Sequence, residues 1–207
     1  NDDIYPEKLK RIYAPPQKLY VMGNEKILNE KGIAIIGCRK PSRYGIEIAY
    51  KFAYGLSKKG INVISGLARG IDSYSHLGSV HAKGKTIAVL GSGLNNIYPG
   101  ENKKLCLEIV KNGGAIITEY EPKEKPLAMH FPTRNRIISA LSDGILVIEA
   151  KKRSGTLITV DYGLDQGKEI FVIPGNITSE NSVGTNELIK QGAKLVTNIE
   201  EIIEEIY

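Results

Sequence analysis

Three shortages in this sequence each exclude a class of protein. Cys38 and Cys106 are the only cysteines among 207 residues, so neither a disulfide framework nor a cysteine-rich zinc site is expected. No stretch approaches the roughly 18 consecutive apolar residues of a membrane span. No basic-then-apolar signal segment opens the chain. We therefore expect a cytoplasmic protein that makes no contact with a membrane.

The sequence also offers little to hold a metal or a cofactor. Its histidines are His76, His81 and His130, and the first two are five residues apart, which puts them on different faces of a helix. No cysteine or carboxylate cluster adds ligands at a recognised spacing. We expect a structural or hydrogen-bonding role for each histidine, no metal site and no cofactor.

Two glycine segments resemble nucleotide-binding motifs, but each lacks an essential part. Gly91-Ser92-Gly93 has no third glycine, and Tyr98-Pro99-Gly100 breaks the chain before the next helix. Gly84-Lys85-Thr86 lies between a helix and a strand, which is the reverse of the order in a phosphate-binding loop. Neither segment therefore predicts a dinucleotide or nucleoside-triphosphate site.

What remains is an ordinary globular composition with a basic balance. Apolar residues make up 42% of the chain and charged residues 25%, as in soluble globular proteins. The net charge of +5 mildly favours an acidic partner such as nucleic acid. Eleven tyrosines and three phenylalanines leave aromatic rings available for stacking.

Short apolar runs alternate with helical segments from Lys31 onward, which is the pattern of a mostly parallel sheet buried on both faces. Ile48, Phe52 and Leu56 form one apolar helical stripe, and Gly60 ends that helix. We predict a single doubly wound α/β domain with helices on both faces of the sheet. Strands are expected at 33–36, 61–65, 86–90, 115–119, 145–149, 169–173 and 194–196. Further helices are expected at 70–82, 101–111, 131–142, 155–166, 186–191 and 199–206.

Residues 1–32 are predicted to be an N-terminal extension packed on the core, and residues 33–207 the main domain. Pro6, Pro15 and Pro16 push the residue before each of them out of the helical region. We therefore expect extended or turn structure in this segment.

Polar, glycine-bearing loops follow the predicted strands, where ligands of parallel sheets bind. Gly37-Cys38-Arg39-Lys40 follows the first strand, and its glycine, its arginine and the free N–H groups of the next helix suit a phosphate. Ser65–Gly70 follows the second strand and suits another phosphate-facing turn, with Asp72 as a helix N-cap. Tight turns with a solvated Arg39 and a capping Asp72 are the alternative interpretation.

Two later segments carry the same kind of chemistry. Phe131 opens a helix beside Arg134 and Arg136, and an aromatic next to arginines grips single strands by stacking and backbone charge. The alternative is that one of these arginines holds Asp143 or Glu149 in the fold. The second of these segments, Arg153 to Thr159, follows the predicted strand 145–149. Ser154 is expected to cap the next helix, and the backbone of Ser154–Thr156 is expected to bind an anion.

Taken in order, these motifs resemble the DprA (Smf) family of DNA-processing proteins of bacterial natural transformation. The resemblance rests on Gly37-Cys38-Arg39, the run 65–72 with His76, Tyr98-Pro99, Glu119-Tyr120, the run 131–138, Glu149-Ala150, the run 153–159 and Pro174-Gly175. The family implies an extended Rossmann-like core that binds single-stranded DNA, forms dimers and loads the RecA recombinase. In the family's Gly-Ser/Thr-Arg loop, Cys38 replaces the usual hydroxyl, so a hydroxyl–phosphate bond is not expected there.

The resulting prediction is a non-enzymatic protein that protects incoming single strands, loads RecA and is dimeric. The competing hypothesis is a nucleotide sensor or a phosphoribohydrolase-like enzyme, but Thr159 stands where such an enzyme has its catalytic glutamate, and a hydroxyl cannot replace that base. The predicted DNA- and phosphate-binding residues are Gly37, Arg39, Lys40, Arg43, Ser65, Gly66, Arg69, Phe131, Arg134, Asn135, Arg136, Arg153, Ser154, Gly155 and Thr156.

Overall fold

A computed structural model describes residues 5–207, and within this range the chain forms an eight-stranded sheet with helices on both faces. The strands are β1 (Tyr20–Gly23), β2 (Gly32–Ile36), β3 (Asn62–Ser65), β4 (Thr86–Val89), β5 (Ala115–Thr118), β6 (Gly144–Val147), β7 (Glu169–Val172) and β8 (Lys194–Leu195). The α-helices are α1 (Glu7–Lys10), α2 (Arg43–Lys58), α3 (Ile71–His81), α4 (Lys103–Lys111), α5 (His130–Leu141), α6 (Gly155–Asp165), α7 (Val183–Lys190) and α8 (Glu200–Ile206). Short 3-10 helices lie at Glu25–Asn29, Gly100–Asn102 and Glu180–Ser182.

The strand order places a topological switch point at the centre of the sheet. The order is β1-β5-β4-β3-β2-β6-β7-β8; β1 runs antiparallel to β5, and the other neighbours are parallel. The chain builds outward from β2 to β5, then returns and builds from β6 to β8 on the other side of β2. The loops after β2 and β6 therefore diverge to opposite faces and leave a crevice between them, which is where ligands bind in sheets of this type.

Alternate residues of each central strand supply two apolar layers. Ile33 and Ile35 of β2 pack with Phe52 and Leu56 of α2 on one face. Ala34 and Ile36 belong to the opposite layer, which includes residues of α5 and α6. Because a side chain of this size contributes roughly 1.5–3 kcal/mol when fully buried, this double layer makes β2 and β6 a stable base for the crevice.

Two loops at the switch point are in direct contact. Gly70 has φ = +78°, and a Cβ atom there would lie 2.4 Å from the carbonyl oxygen of Cys38. The amide of Ile71 donates a hydrogen bond to that same carbonyl at 3.3 Å. Any side chain at Gly70 would therefore force apart the loops after β2 and β3.

The predicted alternation of strands and helices is confirmed, with boundaries that shift by a few residues. The N-terminal segment differs more. Tyr20–Gly23 is extended as expected and forms an edge strand of the sheet, but Glu7–Lys10 and Glu25–Asn29 are helical rather than extended. These helices are stabilised because Leu9 and Ile27 are fully buried in the core. Segments this short have too few residues to show a helical periodicity in the sequence, so their contact with the core could not be predicted. The division at residue 33 stays a prediction, and residues 1–4 lie outside the described range.

Candidate nucleic-acid interface

A cavity of about 550 Å³ opens at the switch point, beside the loops that follow β2 and β6. The α5 helix supplies one wall and the N-terminus of α6 another. The predicted residues that line it are Gly37, Arg39, Lys40, Phe131, Arg134, Asn135, Arg153, Ser154, Gly155 and Thr156. The fold thus brings together predicted residues from three separate segments of the sequence.

A second, smaller cleft adjoins this cavity and shares Arg39 and Phe131 with it. Gly66, Arg69 and Tyr98 also line the cleft. Arg69 makes a bidentate ion pair with Glu101, with both N···O distances at 2.9 Å, and the pair is exposed to solvent. Arg69 therefore lies next to the cavity with its charge already partly neutralised.

Phe131 lies between a cation and a second aromatic ring. The guanidinium carbon of Arg39 is 5.7 Å from the centre of the Phe131 ring, within the range of a cation–π contact. The Tyr98 ring centre lies 5.6 Å from that of Phe131, with the two planes tilted by 53°. The Arg39 side chain is exposed and Phe131 is half-buried, so a flat, positively flanked surface faces solvent at the rim of the cavity.

Arg134 supplies a buried positive charge to the floor of the cavity. Its side chain is 4% exposed. Its Nη1 donates hydrogen bonds to two carbonyl oxygens, that of Gly66 at 2.6 Å and that of Val89. Burial lowers the pKa of Arg134 to about 10; the carboxylate of Asp72 opposes this shift, and the charge of Arg39 adds to it. Arg134 therefore remains a cation at neutral pH while it ties α5 to the ends of β3 and β4.

Asp72 does not cap α3, so that prediction is wrong. It is the second residue of the helix, and Gly70 stands at the N-cap without a side-chain hydrogen bond. The Asp72 carboxylate instead accepts from the amides of Gly66, at 3.1 Å, and Ala68, at 3.3 Å. Burial raises the pKa of Asp72. Two amides of the loop after β3 are thus already engaged by the protein itself.

The proposed pairing of an α5 arginine with Asp143 or Glu149 is also wrong. Arg136 makes two 2.7 Å hydrogen bonds to Glu119 and donates to the carbonyl oxygen of Ala14 at 3.2 Å. Asp143 accepts from Lys8 instead. Arg136 therefore anchors the N-terminal segment and lies away from the cavity.

Two other predicted residues lie outside the cavity. Ser65 is fully buried, and its hydroxyl donates to the carbonyl oxygen of Ile35 at 2.7 Å, so it joins β3 to β2. Arg43 is an exposed residue at the start of α2. The N–H groups expected to be free at this helix end are taken in part, because Ser42 N donates to Glu149 and Gly45 N to Ser42 Oγ. That expectation was wrong for these two amides.

The loop before α6 has the predicted form. Ser154 is the N-cap, and its Oγ accepts from the amide of Thr156 at 3.2 Å. Gly155 is exposed, and a Cβ atom there would meet nothing within 4 Å, so the backbone is open to the cavity. Asn135 reaches this loop from α5, with its Nδ2 3.5 Å from the carbonyl oxygen of Gly155.

Lys151 and Tyr98 are among the residues at the site that were not predicted to bind. Lys151 lines the cavity and pairs with Glu180 at 2.8 Å on the surface, and Tyr98 flanks Phe131. The run Lys151-Lys152-Arg153 was a sequence signal for the first. For the second, the sequence offered only the Tyr98-Pro99 motif of the resemblance, and its position beside Phe131 follows from the fold of the loop after β4.

Cys38 contributes a buried thiol to the same wall. Burial, followed by the nearby charge of Glu149, raises the pKa of Cys38 to about 12, so the group is a neutral thiol at physiological pH.

Within residues 5–207, no group of three or more His, Cys, Asp or Glu side chains is placed to hold a metal ion. No helix in that range is both long and apolar enough to cross a membrane.

The chain matches the sequence model of the DNA recombination-mediator protein A family over residues 1–207. It is 42% identical over 203 residues to the DNA processing protein DprA of Bacillus subtilis, which covers 98% of this chain and 68% of that protein. The Bacillus protein is therefore longer than this chain.

Two solved structures share the fold over nearly all of its length. The X-ray structure of DprA from Streptococcus pneumoniae matches with a TM-score of 0.93 and 41% identity, covering 100% of this chain and 72% of that one. DprA from Helicobacter pylori, described for its single-stranded DNA binding mode, matches with a TM-score of 0.89 and 34% identity, covering 97% of this chain and 91% of that one.

Proposed function

Since the chain belongs to the DNA recombination-mediator protein A family, we propose that it binds single-stranded DNA at the switch-point cavity, protects incoming strands and loads the RecA recombinase during natural transformation. The observation that carries the DNA-binding proposal is the group formed by Arg39, Phe131 and Tyr98 at the rim. A flat aromatic face beside exposed cations binds bases by stacking and phosphates by charge, which is the chemistry of single-strand recognition.

The geometry supports a division of labour among the cavity residues. Arg39, Lys40 and Arg153 are exposed at its edge and would neutralise backbone phosphates. Phe131 would stack on a base. Arg134, held by two carbonyl oxygens, would add a fixed positive potential from below without leaving its place. None of these contacts reads a base edge, so we expect little sequence preference.

Homodimer formation is part of the proposal. Leu164 of α6 is 60% exposed, and Ile177, in the loop that follows Pro174, is 88% exposed. These large apolar side chains are left in solvent in the part of the chain from α6 to this loop, which supports an interaction surface there. Two copies joined there would present two cavities to one strand and raise the apparent affinity through effective concentration.

We further propose that the cavity is not catalytic. Thr159, buried in the cavity wall, has no carboxylate with which to activate water. Asp72 does line the cavity, but its Oδ2 accepts two backbone amides. The cavity is large enough for a mononucleotide, so the competing function is a nucleotide sensor, which would bind mononucleotides tightly and DNA weakly.

A salt-dependent titration tests the proposal. Single-stranded and duplex oligonucleotides, and a nucleoside monophosphate, would be titrated against the protein over a series of salt concentrations. We expect single strands to bind most tightly, with a slope of log K against log salt of about −0.7 for each phosphate neutralised. Equal affinity for duplex and single strand, or a slope near zero, would refute single-strand binding.

A further inference from the structure

Glu149 is a buried carboxylate with no ion-pair partner among residues 5–207. It follows β6 at the switch point and is 2% exposed. Its Oε1 accepts from Ser42 Oγ at 2.5 Å, and its Oε2 accepts from Ser42 N at 2.9 Å, Asn181 Nδ2 at 3.3 Å and Cys38 Sγ at 3.5 Å. All four donors are neutral, and two of them belong to Ser42.

Three of these donors belong to the loop that carries Arg39 and Lys40. Cys38 and Ser42 flank that pair, so the carboxylate is bonded to the loop on both sides of its two cations. The main chain adds to this, because the amide of Cys38 donates to the carbonyl oxygen of Glu149 at 2.9 Å. Glu149 thus closes the loop after β2 onto the end of β6.

Asn181 extends the same network to the third side of the loop. Its Nδ2 donates to the carbonyl oxygen of Lys40 at 3.1 Å as well as to Glu149. The main-chain carbonyl oxygen of Asn181 accepts a hydrogen bond from the amide of Ala150 at 2.8 Å. The backbone at Lys40 is therefore fixed by a side chain that is itself held against the residue next to Glu149.

The carboxylate also occupies the space at the start of α2. A Cβ atom on Gly45 would lie 2.4 Å from Glu149 Oε2, so with the carboxylate in this place only a glycine fits in the first turn of the helix. The N-terminus of the helix after a first strand is where Rossmann folds bind a phosphate. Here a carboxylate of the chain itself is bonded at that end.

We propose that Glu149, assisted by Asn181, is a positioning residue for DNA binding: it fills the anion site at the start of α2 and fixes the loop that presents Arg39 and Lys40 to phosphates. This role rests on the single-strand binding proposed above. It follows that a phosphate meets the exposed side chains of Arg39 and Lys40, and that the start of α2 does not take the phosphate of a nucleotide.

Glu149→Gln distinguishes this role from simple electrostatics, because the two predict changes of opposite sign in the affinity for single-stranded DNA. Removing a negative charge near a basic surface strengthens attraction to DNA. A glutamine, however, has one acceptor oxygen and turns its N–H₂ group toward donors, so the loop loses hydrogen bonds. We expect single-strand affinity to fall by about tenfold and the salt slope to lose about 0.7, one phosphate contact. Glu187→Gln, an exposed residue of α7, removes the same charge and should not weaken binding.

A double-mutant cycle with Arg39→Ala tests whether the effect passes through the loop. If it does, Glu149→Gln should cost clearly less in the Arg39→Ala background than in the wild type, because the two changes are coupled. Additive effects on affinity and slope would overturn the positioning role, since damage to the fold alone does not depend on Arg39. If Glu149→Gln does not fold, Asn181→Ala takes its place in the same double-mutant cycle with Arg39→Ala. We expect Asn181→Ala to lower the single-strand affinity by less than Glu149→Gln would.

The outcomes separate the two proposals. If the wild type does not bind single strands, the proposed function fails and the positioning role fails with it. If the wild type binds and Glu149→Gln binds as well as Glu187→Gln, with an unchanged slope, the positioning role alone is overturned.

Discussion

Replacing Phe131 by alanine should separate stacking from charge in this binding site. The ring is half-buried, with Arg39 over it at 5.7 Å and Tyr98 beside it at 5.6 Å. Stacking on one base is worth about 1–3 kcal/mol, and the lost cation–π contact at an exposed site about 0.5–1 kcal/mol. Since Arg39 keeps its charge in the variant, we expect a loss of about 2 kcal/mol, which is roughly a 30-fold drop in affinity.

The salt dependence should stay the same while the affinity falls. No charge is removed by Phe131→Ala, so the number of neutralised phosphates is unchanged. Fluorescence anisotropy of a labelled oligothymidine, titrated over a series of salt concentrations, measures both quantities. Phe131→Leu keeps an apolar side chain but has no flat face on which a base can stack. Its affinity for single strands should therefore fall by nearly as much as that of Phe131→Ala.

Tyr13→Ala provides the matched control. Tyr13 is 97% exposed and does not line the cavity, so the loss of this ring should leave binding unchanged. If Phe131→Ala binds like Tyr13→Ala, no base stacks on Phe131. If instead the slope falls by about 0.7 and the affinity falls most at low salt, as expected for Arg39→Ala, the ring acts only through the placement of Arg39.

Four further outcomes follow from the site and its surroundings. Arg39→Ala should weaken binding to all single strands and reduce the salt slope by about 0.7, and Arg39→Lys should recover part of it, since a point charge replaces a fork; the same titration checks both. The pKa of Cys38 is raised from 9.0 to about 12, mainly by burial, so the stability conferred by the neutral thiol is present below pH 9 and is lost as pH rises toward 12; Cys38→Ser should show a shallower alkaline fall in the free energy of unfolding, measured with denaturant. Leu164→Arg should shift the protein from dimer to monomer in sedimentation, and a wild type that sediments only as a monomer at micromolar concentration would contradict the dimer. A chromatographic assay should find no free base released from any nucleoside monophosphate, and release that disappears in Asp72→Asn would show that the cavity is an enzyme's.

Local patterns decided most of the secondary structure. The apolar runs that became β2 and β6 are buried on both faces, as continuous runs in a parallel sheet must be. Capping was readable for the same reason at α6, where Ser154 Oγ accepts from the amide of Thr156. This contact joins residues two positions apart, so neighbouring residues alone specify it.

Edges of the sheet and partners of charged groups were harder to predict. Tyr20–Gly23 became a strand because it pairs with β5, nearly a hundred residues later in the chain. Arg136 was predicted to bind DNA, and the alternative gave one of the α5 arginines a carboxylate that follows the helix; Arg136 pairs with Glu119, which precedes it. Asp72 was expected to cap α3 and instead binds amides of the loop before it.

The sequence by itself determined the alternating α/β pattern, the loops after the strands and the residue types they carry, because periodicity and turn chemistry act over a few positions. Tertiary structure alone decided which loops meet. Placing β2 beside β6 brings Cys38 and Glu149 into contact across 111 positions of sequence. It also sets Phe131 under Arg39. Such contacts depend on strand order, which follows from packing the whole core at once and is written in no single segment.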